Sequence, residues 1–195
     1  MERKHLLPVL ESILEEDPSQ IHSAAAIAEL FPALRQKVVS QIFDEVEKDV
    51  RAELGPDWDP QRDAKEHFVE TDWAKFSFTH PDWKKLYSIT LESQPKNGAV
   101  LLGISHTKDK GITRNDQIAQ KLKSLGWGNR GGGAWWEGHS PLPDPFTNWT
   151  TGAGIAAVIE RRAELKKLLT DGFVELCTYF KNPLAKLAKT AAPKR

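Results

Sequence analysis

The chain has 195 residues, of which 39% are hydrophobic and 28% are charged, and this composition excludes a disordered chain. The 27 Lys and Arg residues balance the 27 Asp and Glu residues, and no apolar run approaches the roughly 20 residues that a transmembrane helix needs. The single cysteine, Cys177, excludes an internal disulfide and a cysteine-based zinc cluster. Because the charged first segment does not resemble a signal peptide, we expect a cytoplasmic protein with no membrane contact.

The charges are unevenly distributed along the chain. Residues 1–70 hold 8 Lys and Arg against 16 Asp and Glu, an excess of eight negative charges. Residues 71–195 hold 19 against 11, an excess of eight positive charges. Such asymmetry is typical of a basic face for an anionic partner. Attraction between the two halves, or simple solvation of the charges, explains the same counts and is the commoner case.

The segment 1–55 predicts an acidic lobe made of helices. Residues 3–16 place six aliphatic side chains near one helix face. Residues 32–54 repeat apolar side chains at spacings of three and four, which predicts a long amphipathic helix that a Gly-Pro pair ends. The polar stretch 55–73 predicts a loop with a short helical turn.

The pattern then changes to alternation, which is typical of strands. Residues 85–106 predict an antiparallel hairpin around the turn dipeptide Asn97-Gly98, and residues 74–79 predict a third strand. A short helix follows, which Thr113 or Asn115 could cap and which Gly126 stops.

The last third of the chain predicts one more strand and a long helix. The run "AWWEGH" is typical of a strand that buries either Trp135 or Trp136. Residues 150–180 predict one or two helices with a possible break at Gly172, and residues 181–195 a frayed basic tail. The fold class is therefore α+β: an N-terminal helical lobe (1–55) and a domain (56–180) whose small antiparallel sheet is covered by the long C-terminal helix.

The segment Gly126–Trp149 holds four of the seven Trp and six of the thirteen Gly residues. Its glycines do not match a phosphate-binding loop, because the strand–loop–helix context is missing. The nearby His139, Glu137 and Asp144 match no catalytic or metal-ligand motif, and a surface histidine is the better interpretation. The sequence therefore indicates no catalytic residue, no metal and no cofactor.

Cations interleaved with aromatic residues suit nucleic-acid binding, because they combine phosphate neutralisation with base stacking. Aromatic side chains in an α+β domain are nevertheless more often core residues. The candidate residues for binding nucleic acid or a protein partner are Lys108, Lys110, Arg114, Lys121, Lys123, Arg130, Trp127, Trp135, Trp136 and Trp149.

Scattered positions within residues 30–177 also resemble a known pattern. They are Trp83, Lys84, Lys85, Gly103, Ile104, Trp135, Trp136, Asn148 and Trp149. The pattern is similar to the accessory region that follows the catalytic core in bacterial nucleases of the PD-(D/E)XK superfamily. The resemblance implies a module that positions a partner or a nucleic acid. The catalytic core itself is missing, since Asp63-Ala64-Lys65 is formally D-x-K but lies in a polar loop.

Three hypotheses follow. The preferred one is a non-catalytic interaction module that binds nucleic acid or a protein partner, in a bacterial or phage defence or nuclease-related system. The second is a divergent Mg²⁺-dependent nuclease, with a site built from Asp57, Asp59, Asp63 and Lys65 or from Glu137, His139 and Asp144. The third is an inhibitor or immunity-type protein whose acidic lobe covers a basic partner, using Glu45, Glu47, Asp49, Glu53, Asp57 and Asp59.

Overall fold

A computed structural model describes residues 19–63, 68, 71, 73–83, 85–94, 99–107, 114–128, 130–131 and 135–190, with side chains from residue 30 onward except at 130 and 131. These residues form four α-helices and a six-stranded sheet, which confirms the α+β class. No described helix has the length and apolar character needed to cross a membrane. The chain divides between Val38 and Val39 into two compact units, whereas the sequence placed the boundary after residue 55.

The first helix, α1 (Ser19–Leu54), is longer than predicted and contains Pro32. Its second half buries an apolar stripe in the larger unit, at the predicted spacing. Gly55 ends the helix with φ +89°, and its N–H donates to the carbonyl of Arg51. The predicted helix at 3–16 lies outside the described residues. The buried stripe consists of Val39, Ile42, Phe43, Val46 and Val50.

The sheet has the order β1-β2-β3-β4-β6-β5, and every neighbouring pair is antiparallel. The predicted hairpin, third strand and Trp-containing strand are confirmed, whereas the Asn97-Gly98 turn lies outside the described residues. The strands are β1 (Asp59–Arg62), β2 (Lys75–Thr79), β3 (Tyr87–Gln94), β4 (Ala99–His106), β5 (Arg130–Gly131) and β6 (Trp136–Pro141).

The loop predicted for residues 55–73 is wrong at β1. This strand, Asp59–Arg62, has no apolar alternation to indicate it. It is an edge strand held by backbone pairing to β2, and an edge is where a strand tolerates Pro60. Pairing with a neighbour, rather than burial of its own side chains, therefore forms this strand.

The remaining helices are α2 (Asp116–Ser124), α3 (Gly152–Glu160) and α4 (Arg162–Thr190). The Asn115 side chain caps α2, as one of the two predicted alternatives required. Helix α4 passes through Gly172 without a break, because the missing side chain leaves room for Leu102 and Trp127: a Cβ there would lie 2.8 Å from Leu102 Cδ2.

Helix α4 also corrects the predicted frayed tail. It continues through Pro183 to Thr190. Its last turns bury Leu184, Ala185 and Ala188, so residues 181–190 are part of the packed domain. Residues 191–195 lie outside the described residues.

One face of the sheet carries the aromatic core. Phe76 and Phe78 of β2 contact Phe173 of α4, with ring centroids 5.4 and 4.9 Å apart. Phe43 of α1 stacks on Phe76 at 4.5 Å. Helices α1 and α4 therefore cover the same face, and α2 joins them where Leu122 approaches Gly138 of β6. This arrangement places α2 next to the second half of α4.

Candidate nucleic-acid interface

The acidic residues of α1 are largely neutralised by cations, two of which come from the basic half of the chain. Arg62 binds both Asp44 (2.6 Å) and Glu47 (2.8 Å). Two cations of α4 act in the same way on the neighbouring carboxylates of α1. These pairs are Arg162 with Glu45 (2.5 Å) and Lys166 with Asp49 (2.9 Å). Part of the charge asymmetry is thus internal attraction, and three acids of the inhibitor hypothesis are used within the domain.

A second group of cations has no such partners. Arg114, Lys121 and Lys123 are exposed on or directly before α2, and Lys186 and Lys189 are exposed on α4. Within the described part of the chain, none of the five forms an ion pair. Lys121 instead lies over the exposed ring of Tyr179, 4.9 Å from its centroid.

A groove of about 590 Å³ separates the start of α2 from the last turns of α4. Two lysines, three amide side chains and one carboxylate supply its polar lining. We call it the basic groove. Its polar lining residues are Asn115, Gln117, Asn182, Lys186, Lys189 and Asp82.

A buried carboxylate holds the start of α2, which forms one wall of the basic groove. The side-chain oxygen of Asn115 accepts hydrogen bonds from the backbone N–H groups of Gln117 (3.0 Å) and Ile118 (3.2 Å). The backbone N–H of Asn115 donates to Oε2 of Glu137 at 2.6 Å. Glu137 is fully buried, and this burial raises the pKa of its carboxyl group, while the Asn115 N–H and the nearby Arg114 lower it. Glu137 therefore fixes β6 to the start of α2.

Replacing Glu137 by Gln is expected to change the pH dependence of stability. The folded state raises the pKa of Glu137 above its unfolded value, so the carboxyl group stabilises the fold most at low pH. That contribution is lost as pH rises through the folded pKa. The Gln variant keeps an acceptor for Asn115 and does not titrate. Its free energy of unfolding should therefore rise relative to that of the natural protein as pH increases above about 4, the usual pKa of a glutamate. Urea unfolding at several pH values measures the difference, and a difference independent of pH would contradict this role.

The four predicted Trp residues differ in how much of each side chain is exposed to solvent. Trp136 and Trp149 are only 4% and 1% exposed, so both rings pack inside the domain instead of lying on its surface. Trp136 lies at a register shift between β4 and β6 and contacts the ring of His139, and Trp149 packs against Phe43 and Phe68. Trp135 is 44% exposed and directly precedes β6. It lies two residues before Glu137, which accepts the hydrogen bond from Asn115. It is the one predicted Trp that the described structure leaves exposed enough to stack on a base.

The other predicted binding residues have different positions. Trp127 is half-buried beyond the opposite end of α2, away from the basic groove. Lys108 and Lys110 lie outside the described residues, and so does the side chain of Arg130, whose backbone forms β5. The sequence missed Lys186 and Lys189, although their spacing of three residues places both near one face of a helix.

The residues proposed for a metal-dependent site do not converge as predicted. Among the described residues, no three His, Cys, Asp or Glu side chains could together hold a metal ion. Asp63 follows β1 directly, rather than lying in a loop without strands, and its Oδ2 accepts from the backbone N–H of Lys75 (2.8 Å). Lys75 Nζ lies 3.7 Å from the buried Glu92, and burial raises the pKa of Glu92. Lys65 lies outside the described residues.

Comparisons with family models, curated proteins and solved structures found no match to the chain. The resemblance to the nuclease accessory region therefore stays a prediction from scattered residues. Several of these residues have packing roles: the indole N–H groups of Trp83 and Trp149 donate to the carbonyls of Lys181 (3.0 Å) and Phe146 (2.8 Å). Gly103 allows β6 to approach, since a Cβ there would lie 2.2 Å from the carbonyl oxygen of Gly138.

Proposed function

We propose that the protein is a non-catalytic interaction module that binds nucleic acid through the basic groove. The observation that carries this proposal is the contrast between two sets of cations. Arg62, Arg162 and Lys166 form ion pairs with α1. Lys186 and Lys189, by contrast, are exposed in a groove lined by amide groups, and the exposed Arg114 directly precedes the lining residue Asn115.

The chemistry of the groove suits a phosphate backbone. Lysine and arginine side chains neutralise phosphates and release their counterions, which makes binding favourable and dependent on salt. The amides of Gln117 and Asn182 can donate to and accept from sugars and base edges. Asp82 is the single carboxylate in the lining and opposes this attraction locally.

The cellular setting follows from the sequence resemblance. A module without its own catalytic core would hold a nucleic acid, or a partner bound to one, for a separate nuclease. We place it in a bacterial or phage defence or nuclease-related system in the cytoplasm. A protein partner in place of nucleic acid is the alternative within the same function.

Intrinsic Trp fluorescence during titration with nucleic acid tests the proposal. Single- and double-stranded DNA and RNA of about 20 nucleotides would be added at about 50 and 200 mM salt, a range over which several phosphate contacts weaken binding strongly. Three or four contacts predict a fall in affinity of roughly 20- to 100-fold over this range. Affinity that ignores salt would contradict phosphate contact, and no binding to any of the four would favour a protein partner.

A Mg²⁺-dependent nuclease remains the second candidate, favoured by the proximity of Asp63, Lys75 and Glu92. Two carboxylates beside a lysine are the groups that metal-assisted hydrolysis of a phosphodiester uses. The titration mixtures, incubated with and without Mg²⁺ and run on a gel, separate the two functions. Cleavage that needs Mg²⁺ and disappears in Asp63→Asn and Glu92→Gln would establish the nuclease. Binding without cleavage would support the non-catalytic module.

A further inference from the structure

A second groove, of about 620 Å³, lies at the opposite end of α2 from the basic groove. The residues directly after α2 form one side, the loop after β6 another, and the middle of α4 the third. We call it the tryptophan groove. Its walls include Trp127, Leu142, Pro143, Asp144, Leu168 and Glu175.

The ring of Trp127 is held firmly in this groove. Its Nε1–H donates to Oε2 of Glu175 at 2.6 Å. The ring also lies directly against α4, because a Cβ on Gly172 would be 2.9 Å from Trp127 Cζ2. The groove therefore has an aromatic wall whose orientation is set before any ligand arrives, which lowers the entropy cost of binding.

The electrostatics of the tryptophan groove favour a cation. Among the residues that the structure describes, Asp144 and Glu175 are the charged ones in its lining, and both are carboxylates. Each has one oxygen engaged, Asp144 by the Thr147 hydroxyl (2.8 Å) and Glu175 by Trp127. Within the described part of the chain, neither forms an ion pair.

We infer that the tryptophan groove binds an arginine side chain presented by a partner protein. A guanidinium group is planar, stacks on aromatic faces and forms paired hydrogen bonds with carboxylates. The apolar wall of Leu142, Leu168 and Pro143 suits the aliphatic stem and the neighbouring residues of a peptide. The two carboxylates repel a phosphate backbone, so this surface and the basic groove take different partners.

Three blocked tripeptides serve as probes: acetyl-Leu-Arg-Leu-amide and its lysine and citrulline counterparts. The readout is the NMR resonance of the Trp127 indole N–H, assigned with Trp127→Phe. We expect a saturable shift with the arginine peptide at a Kd of about 1 mM or below, as few contacts allow. Binding of the lysine peptide should be several-fold weaker, and citrulline, which is uncharged, should leave the resonance in place.

Two substitutions test the carboxylates while preserving the fold. Glu175→Gln keeps an acceptor for Trp127, and Asp144→Asn keeps one for Thr147, so each removes only a charge. Each should weaken the arginine peptide at least about fivefold, as expected for a lost charge-assisted hydrogen bond. Glu53→Gln, on the exposed side of α1, is the matched control and should have no effect.

Four outcomes would overturn the inference. The first is equal binding of the arginine and citrulline peptides, and the second is unchanged affinity in both carboxylate variants. The third is tighter binding of spermidine than of the arginine peptide, which would assign the groove to small polyamines. Absence of any shift at about 20 mM peptide, well above the Kd expected of a side-chain site, would also reject it.

Discussion

Replacing Lys186 and Lys189 together by glutamate is expected to weaken nucleic-acid binding at least about tenfold. Both side chains are exposed in the lining of the basic groove, and within the described residues neither forms an ion pair, so their charge is available to phosphate. Losing two phosphate contacts also removes about two ions from the counterion release. The slope of log affinity against log salt should therefore become shallower by about 1.5 to 2.

A matched control separates a local contact from the general effect of net charge. Lys37→Glu with Lys48→Glu changes the same number of charges, also at exposed positions of a helix, but on α1. This control should lose less affinity and keep most of its salt slope, because long-range terms are screened beyond about 10 Å at 0.1 M salt. Equal losses in the two variants would show that binding is diffuse and would remove the basic groove from the proposal.

The elements that local chemistry determines were predictable from the sequence. Helix α2 has a capping Asn115, an apolar stripe and a terminal Gly126 with φ +85°, and each of these signals acts within a few residues. The hairpin β3–β4 likewise carries its own alternation. Strand β1 and the end of α4 were missed because contacts with distant parts of the chain form them. Strand β1 forms by backbone pairing to β2, and the end of α4 is held by burial of Leu184 and Ala188.

The candidate site was less predictable than the fold, for a related reason. The sequence named Arg114 and Lys121 as binding candidates, and the structure shows both of them exposed, Lys121 on α2 and Arg114 directly before it. The sequence could not show that α4 brings Lys186 to the same groove, since that contact spans about 70 residues of chain. The Trp residues misled for another reason: whether an indole packs or is exposed depends on the surface covering it, as Trp135 and Trp136 show at adjacent positions.

The charge asymmetry combines the two explanations that the sequence left open. Glu45 and Asp49 form ion pairs with Arg162 and Lys166 of the basic half, which is the structural explanation. The cations left over lie around the far end of α4, which is the functional one. The count of charges along the chain could not separate the two explanations, because the packing of α1 against the sheet and α4 decides which charges form ion pairs.

Substituting Gly154 by Ala is expected to destabilise the domain by about 3 kcal/mol, the range of a buried steric clash that the backbone must relieve. Gly154 is buried in the first turn of α3, and a Cβ there would lie 1.5 Å from the carbonyl oxygen of Asn148. The neighbour is backbone, so no side-chain rotation relieves the contact. The shift must move the segment that carries the buried Trp149, or pull Gly154 N–H away from its 3.1 Å hydrogen bond to the cap residue Thr151.

Gly152→Ala, two residues earlier in the same helix, is the matched control. A Cβ at that position meets nothing within 4 Å, so the change should be neutral or stabilise by up to about 1 kcal/mol through lower backbone entropy of the unfolded chain. Urea unfolding of the two variants measures the difference in their free energies of unfolding. Similar stabilities would contradict the close approach of α3 to Asn148. A large difference between the stabilities of the two variants would show that Gly154 serves helix packing, which removes it from any binding role.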